Sequence, residues 1–239
     1  MTVSIIIAVK TWQKNLEECV NKCLELDYQD FEIIILPDEP LNQPFIPKSS
    51  TSIKVIPTGA ISPADKRDIA LKYAKGEILG FIDDDAYPRK DWLSNALKDF
   101  NDDNVAAVGG PAVTPLDDSL RQKASGAVYS SLAVSGNFIY RYLPKKRREV
   151  DDYPSCNFIV RKSVMQELGG FDTKFWPGED TKLCLDITKK LKKKIIYDPE
   201  VFVWHHRRKL FIPHLKQIIN YAQHRGYFVK KYARNKTGY

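Results

Sequence analysis

Cysteine is scarce and unpatterned in this chain: Cys19, Cys23, Cys156 and Cys184 are its four, with no C-x-x-C spacing among them. That disfavours zinc-ribbon and dithiol redox chemistry, and four scattered thiols suit a reducing cytosol. Long apolar runs are missing too. The longest, "VSIIIAV" and "FEIIIL", are strand-sized, far short of the roughly 20 residues of a membrane span. No basic leader precedes "MTVSIIIAVK", so the expectation there is a first strand rather than a signal peptide. No G-x-G-x-x-G follows that strand and no G-x-x-x-x-G-K-[ST] occurs anywhere, which disfavours dinucleotide-binding and P-loop chemistry. No internal repeat or low-complexity linker divides the chain.

What is present describes one large α/β domain. The 239 residues are 43% hydrophobic and 28% charged, an ordinary globular composition. Strand-like runs alternate with helix-like ones. "VSIIIAV" leads to a helix from about Asn15 to Leu26, with Leu16, Cys19, Val20, Cys23 and Leu24 on its core face. After "FEIIIL", a loop carrying Pro37, Pro40, Pro44 and Pro47, and "IKVI", Ser62 can cap a helix with Pro63 at its first position, running to Gly76. "EILGFI", a helix bearing Trp92, Leu93, Ala96, Leu97 and Phe100, and "VAAVGG" follow. Runs apolar on both faces in β-α-β-α order imply a mostly parallel sheet flanked by helices, with ligands beyond the carboxyl ends of its strands.

The second half is less regular. "RQKASGAVYSSLAVSG" reads as a helix, "NFIYRYLPKKRREVDDYPS" as a mobile basic and aromatic loop, and "CNFIVRKSVMQELGGFD" as a strand, a short helix and a glycine stop. "KIIYDPEVFVWHH" reads as a final strand pair. The net charge of +7 is concentrated here, in "KKRR", "KKLKKK", "HHRRK" and "HRGYFVKKYARNK". Such a surface suits an anionic partner or is simply solvated.

Four stretches offer chemistry. In "FIDDDAYP" the apolar strand delivers Asp83, Asp84 and Asp85. A turn seldom needs three aspartates, and carboxylates this close raise one another's pKa values. A divalent cation would relieve that repulsion, and oxygen ligands favour Mg²⁺ or Mn²⁺. In an extended chain Asp83 and Asp85 point one way and Asp84 the other. In "FWPGEDTKLCLDI", Glu179 and Asp180 start a helix, as a cap or as a carboxylate placed to take a proton from a hydroxyl. Trp176 before them could offer a sugar ring an apolar face. In "EVFVWHHRR", alternation puts Val201, Val203 and His205 on one strand face, with Phe202, Trp204 and His206 on the other. His205 is a metal-ligand candidate, and Arg207, Arg208 and Lys209 could offset a diphosphate. Lys66 and Arg67 sit in a first helical turn, where the dipole gives cations no help, which hints at an anionic ligand or a solvated face.

Taken in order, "VSIIIAVKTWQKNLEECV", "KRDIALKYAKGEILGFIDDDAYPRKDWL", "CNFIVRKSVMQELGGFD", "GEDTKLCLDI" and "YDPEVFVWHHRR" resemble a family 2 glycosyltransferase with the GT-A fold. The likeness covers roughly residues 2 to 208. It implies a nucleotide-diphosphate sugar donor and inversion at the anomeric carbon. It also implies a divalent ion, Mn²⁺ or Mg²⁺, on Asp83 and Asp85, completed by His205. Val9, Asp38, Lys66, Arg67, Asp83 and Asp84 would line the nucleotide-sugar pocket. Asp180 would be the general base with Glu179 beside it, and Trp176 and Asn157 would face the acceptor. Where many members carry D-D-x-S-x-D this chain has "LPDEP", and the Q-x-x-R-W of processive members is absent, which favours transfer of single sugars.

The implied organisation is one domain over 1–208, with a nucleotide-sugar half (1–110) and an acceptor half (111–208), followed by a basic amphipathic helical tail (209–239). Leu215, Ile218, Ile219 and Tyr221 of that tail would either pack on the domain or lie on an anionic membrane. The acceptor would be a carbohydrate or a lipid-linked one, in polysaccharide or glycolipid biosynthesis, and the location cytoplasmic, with peripheral contact at the cytoplasmic membrane face. Two other readings compete. A basic nucleic-acid-binding protein lacks a recognition helix or aromatic-rich sheet motif, so nucleic acid is not an expected partner. A nucleotidyltransferase lacks its glycine-rich basic signature.

Overall fold

A computed structural model describes residues 1–41, 51–172, 174 and 178–231. Its centre is an eight-stranded sheet in the order β3-β2-β1-β4-β9-β6-β10-β8. The strands are β1 (Val3–Ala8), β2 (Phe31–Leu36), β3 (Ser52–Val55), β4 (Ile78–Ile82), β6 (Val105–Gly109), β8 (Arg148–Val150), β9 (Asn157–Arg161) and β10 (Lys194–Tyr197). β3, β2, β1 and β4 run parallel, as do β6 and β10. β9 opposes both of its neighbours, and β8 opposes β10. This is the mostly parallel sheet that the doubly apolar runs predict. Every residue of β2, β4 and β6 is buried. A smaller sheet, β5 (Ala86–Pro88), β11 (Val203–His205) and β7 (Ala112–Val113), stands apart from it.

Helices cover both faces of the large sheet. α1 (Lys14–Leu24) buries Leu16, Cys19, Val20 and Cys23, so those thiols are core packing. In α2 (Pro63–Leu71), Ser62 Oγ accepts from Asp65 N at 3.1 Å, the expected cap, but the helix stops short of Gly76. α3 (Trp92–Asp99) buries Trp92 against the Cα of Gly80, whose hydrogen leaves room for the indole. α6 (Lys162–Leu168) ends on Gly169, whose φ of 81° marks the predicted stop.

Three expectations are corrected. The stretch predicted as one helix breaks at Ser130–Ser131 into α4 (Leu120–Tyr129) and α5 (Leu132–Ser135), because Ser131 caps a new turn through Val134 N. The predicted mobile loop instead holds a 3₁₀ turn (Gly136–Arg141) and β8. It is pinned by a buried ion pair, Arg141 Nη2 to Asp152 Oδ2 at 2.6 Å, while Arg147 of "KKRR" pairs with Asp99. β10 and β11 are not a pair: they belong to different sheets.

The tail forms α8 (Ile212–Lys231). It docks through His214, bonded to Ser125 at 2.7 Å and packed on Tyr129, and through buried Phe228. Leu215 and Ile219, expected either to pack on the domain or to lie on a membrane, are exposed. Residues 232–239 of the tail lie outside the described residues, as do Pro44, Pro47 and Trp176.

Candidate active site

β4 lies mid-sheet between β1 and β9 and ends at Ile82. The chain then turns at once, with Ala86 N donating to Asp83 O at 3.0 Å. The extended-chain argument for splitting the aspartates therefore does not apply, yet the turn has the same result. β11 pairs antiparallel with β5 in a register that sets His205 opposite Ala86. One ligand atom each from Asp83, Asp85 and His205 thus lie within 4.8 Å of one another.

The repulsion within the aspartate triplet is resolved one residue at a time. Asp83 Oδ1 accepts from Arg67 Nη2 at 2.9 Å. Asp85 Oδ1 lies 3.0 Å from His205 Nε2. Burial alone would raise the Asp85 carboxyl, but the His205 charge and hydrogen bond outweigh it and hold it below the usual range. Burial likewise opposes protonation of His205, and Asp85 overrides it, lifting the imidazole to about 10. Asp84, which turns away, accepts from the Gln13 amide. Burial, then Asp85 and Asp83, push it up to about 7. Two carboxylates and an imidazole at this spacing are a donor set that suits a divalent cation.

Arg67 connects this cluster to the second motif. Its side chain is 6% exposed, and Nη1 reaches Glu179 Oε1 at 3.1 Å while Nη2 holds Asp83. Glu179 also accepts from Gly178 N at 2.9 Å, so its carboxylate is engaged. Gly178, at φ 129°, permits the sharp entry into α7 (Glu179–Leu185). Asp180, the next residue, accepts from two backbone groups among the described residues: Thr181 N at 2.8 Å and Ser155 N at 3.3 Å. Burial first, then Glu179 and Asp152, raise it to about 7. A carboxyl so tuned can take a proton near neutral pH. Tyr221 of α8, which the sequence reading did not place here, is 51% exposed as a residue, yet its phenol end is near enough to the site for burial of that end and then the charges of Asp83 and Asp180 to push it up.

Other expected site residues have different surroundings. Lys66 is 2% exposed and ties Asp38 to the Val9 carbonyl, which accepts from its Nζ at 2.5 Å. Lys66 and Arg67 are thus each paired with carboxylates of the protein itself. Asn157, expected at the acceptor, is fully buried: it accepts from Trp92 Nε1 at 2.8 Å and donates to the Gly110 and Val201 carbonyls at 2.7 Å. Arg207 is not open to a diphosphate either. Its guanidinium packs against the stacked pair Tyr129 and Tyr142, 5.6 and 5.3 Å from their ring centroids, and donates to Ala112 O, whereas Arg208 and Lys209 are exposed.

A sheet of this topology with an acidic cluster at the end of β4 defines a GT-A glycosyltransferase fold. The family model described as "Glycosyl transferase family 2" matches residues 4–169. The chain belongs to that family.

Among its relatives is a "Pre-mycofactocin glycosyltransferase" of Mycobacterium tuberculosis, 30% identical over 150 residues, covering 62% of this chain and 31% of that protein. Another is a "Glucosyl-dolichyl phosphate glucuronosyltransferase" of Haloferax volcanii, 24% identical over 88% of this chain and 70% of that protein. The match to the mycobacterial relative thus spans about a third of that protein's length. Among solved structures, the fold is shared with a mannosyltransferase of Pyrobaculum calidifontis determined with GDP-Man and Mn²⁺. Its TM-score is 0.69 at 20% identity, over 98% of this chain and 65% of the other.

Proposed function

We propose that this chain transfers a single sugar from a nucleotide-diphosphate sugar to an acceptor hydroxyl, with Asp180 as general base. The observation that carries the reading is the meeting of Asp83, Asp85 and His205 at the end of β4, joined through Arg67 to the helix start that bears Asp180. Asp83, Asp85 and His205 would hold Mn²⁺ or Mg²⁺, which would draw charge from the departing diphosphate. Asp180 would take the proton of the attacking hydroxyl, and a single displacement would invert the anomeric centre. Glu179 and Arg67 would position these groups without touching the reacting atoms. One base beside one metal cluster also differs from a glycosidase, which flanks its bond with two carboxyls.

The relatives support the donor and acceptor classes: the Pyrobaculum structure holds GDP-Man and Mn²⁺, and the Haloferax enzyme is named for a dolichyl phosphate acceptor. A carbohydrate or lipid-linked acceptor in polysaccharide or glycolipid biosynthesis fits them. Phe211, Ile212, Leu215 and Ile219 are exposed beside Arg208, Lys209 and Lys216, a combination that supports peripheral contact with an anionic membrane. No helix among the described residues is long and apolar enough to cross one. The four buried, unpaired cysteines support a reducing, cytoplasmic location.

Thermal shifts with UDP- and GDP-sugars, each with Mn²⁺ and with EDTA, test the reading. A true donor at 100 times its Kd stabilises by about 2.7 kcal/mol, and only when metal is present. Asp85→Asn should lose that shift. Asp180→Asn should keep it while losing transfer, and full transfer by either variant would overturn the assignment.

A further inference from the structure

The strands that carry the acidic cluster have a second face. His205 and Ala86 stand opposite each other on β11 and β5; one residue earlier and one later, Trp204 pairs with Tyr87. Their rings lie 6.4 Å apart, tilted by 34°. Phe202 props the indole edge-on at 4.8 Å, and His206 packs against Tyr87 at 5.6 Å with the rings tilted by 47°. His206 is itself clamped between Glu18 of α1 and Asp118. The two aromatic side chains are therefore braced by neighbours on the same face, and they line a cleft of about 470 Å³ whose other walls include Lys22 of α1, Glu25 at its end, Arg89, Lys90 and Asp117. That volume lies within the ~300–1,000 Å³ of ordinary ligand sites.

The lining sorts ligand classes. Two adjacent aromatic rings offer an apolar, polarisable surface to the C–H face of a flat, saturated ring. The rim holds both signs of charge at short range: the Glu25 and Asp117 carboxylates can accept from hydroxyls and the Lys90 ammonium can donate to them, while Lys22 is paired with Glu25 and Arg89 with Asp91 and Glu200. An anion would meet Glu25 and Asp117 as well as the cations, so the rim favours a neutral polyhydroxylated ligand. The site is open to solvent: the Lys22–Glu25 pair spanning one wall is 41% and 59% exposed.

We propose that this cleft is a second carbohydrate site, taking a neutral pyranose unit of a glycan, distinct from the donor site on the opposite face of β5 and β11. A glycan held there would lie beside the transfer cleft without occupying it. The proposal does not depend on the reaction assigned above, because it is tested with neither nucleotide nor metal.

The full chain in EDTA is titrated with maltose, cellobiose and N,N′-diacetylchitobiose, followed by saturation-transfer NMR and calorimetry. The expected result is saturable one-to-one binding of at least one disaccharide. Trp204→Ala should weaken it by about tenfold or more, as expected for loss of a stacked ring. Asp117→Ala, on an exposed loop, should weaken it severalfold, and Asp85→Asn should leave it unchanged. Thermal melts establish that each variant is folded; if Trp204→Ala is not, Asp117→Ala decides. Four results would overturn the site: no binding of any of the three, unchanged affinity in the folded cleft variants, competition by inorganic phosphate, or loss of binding in Asp85→Asn.

Discussion

His205 Nε2 lies 3.0 Å from Asp85 Oδ1, and the two groups hold each other's proton balance: the imidazole is raised to about 10 and the carboxyl lowered. A cation that takes Nε2 must first displace a proton, because a histidine ligates through a neutral nitrogen. The affinity of Mn²⁺ for the protein should therefore rise with pH through the neutral and mildly alkaline range. Calorimetry in two buffers of different ionisation enthalpy should read proton release on binding. His205→Ala should weaken Mn²⁺ by about 10–100-fold or more; equal affinity in that variant would remove His205 from the site.

Arg67 stands between two carboxylates with almost no access to water, bonded to Asp83 at 2.9 Å and Glu179 at 3.1 Å. Removing one member of such a buried set leaves charges uncompensated, which costs about 3–5 kcal/mol. Arg67→Met should lower the denaturation midpoint accordingly. Arg67→Lys should recover only part of it, because a single ammonium cannot reproduce the fork to two acceptors. Chemical denaturation at pH 7.5 measures both; a neutral Arg67→Met would show that the network carries no stability.

Asp180 gives a pH signature of opposite sense in activity and in stability. Its carboxyl is raised to about 7, so transfer should climb as pH passes through about 7 and then level off. The folded protein holds that proton more tightly than the unfolded chain does. The group's stabilising contribution is thus complete below the ordinary carboxylate range and is lost as pH rises through about 7. Asp180→Asn, which cannot ionise, should be more stable than the parent above pH 8, by on the order of 1–3 kcal/mol. The same variant should lose transfer by about 10²–10⁴-fold. Melting curves and initial rates across pH 6 to 9 check the pair of effects.

Much of this site follows from local pattern. β1, β2 and β4 are legible because strands buried on both faces must be continuously apolar, and "EILGFI" followed by three aspartates marks the carboxyl end of one of them. His205 is legible from two-residue alternation within "EVFVWHH". What local pattern does not carry is partnership across the fold. Lys66 and Arg67 read as an anion site, and only the packing of α2 against β1 and α7 reveals that the anions are Asp38, Asp83 and Glu179. The Arg141–Asp152 pair is invisible for the same reason, and "REVDDYP" falls in the stretch that reads as a mobile basic and aromatic loop although Asp151 and Asp152 are buried. Gln13 and Tyr221 join the site from a loop and from the tail, with no signal in their neighbours.

Asn157 separates the two kinds of role. Its three hydrogen bonds, from Trp92 Nε1 and to the Gly110 and Val201 carbonyls, all lie between 2.7 and 2.8 Å in a fully buried position. They join α3, the end of β6 and the approach to β11, so this side chain fixes the height of the strand that carries His205. Asn157→Leu removes two donors and one acceptor; it leaves Trp92 Nε1 and the Val201 carbonyl unpaired, each costing about 1–3 kcal/mol, while the Gly110 carbonyl keeps the Tyr153 hydroxyl at 2.7 Å. The expected outcome is a large drop in melting temperature and weaker Mn²⁺ binding, with the KM for acceptor unchanged in the folded fraction. An acceptor KM that rises while the melting temperature and Mn²⁺ affinity hold would return Asn157 to the acceptor site.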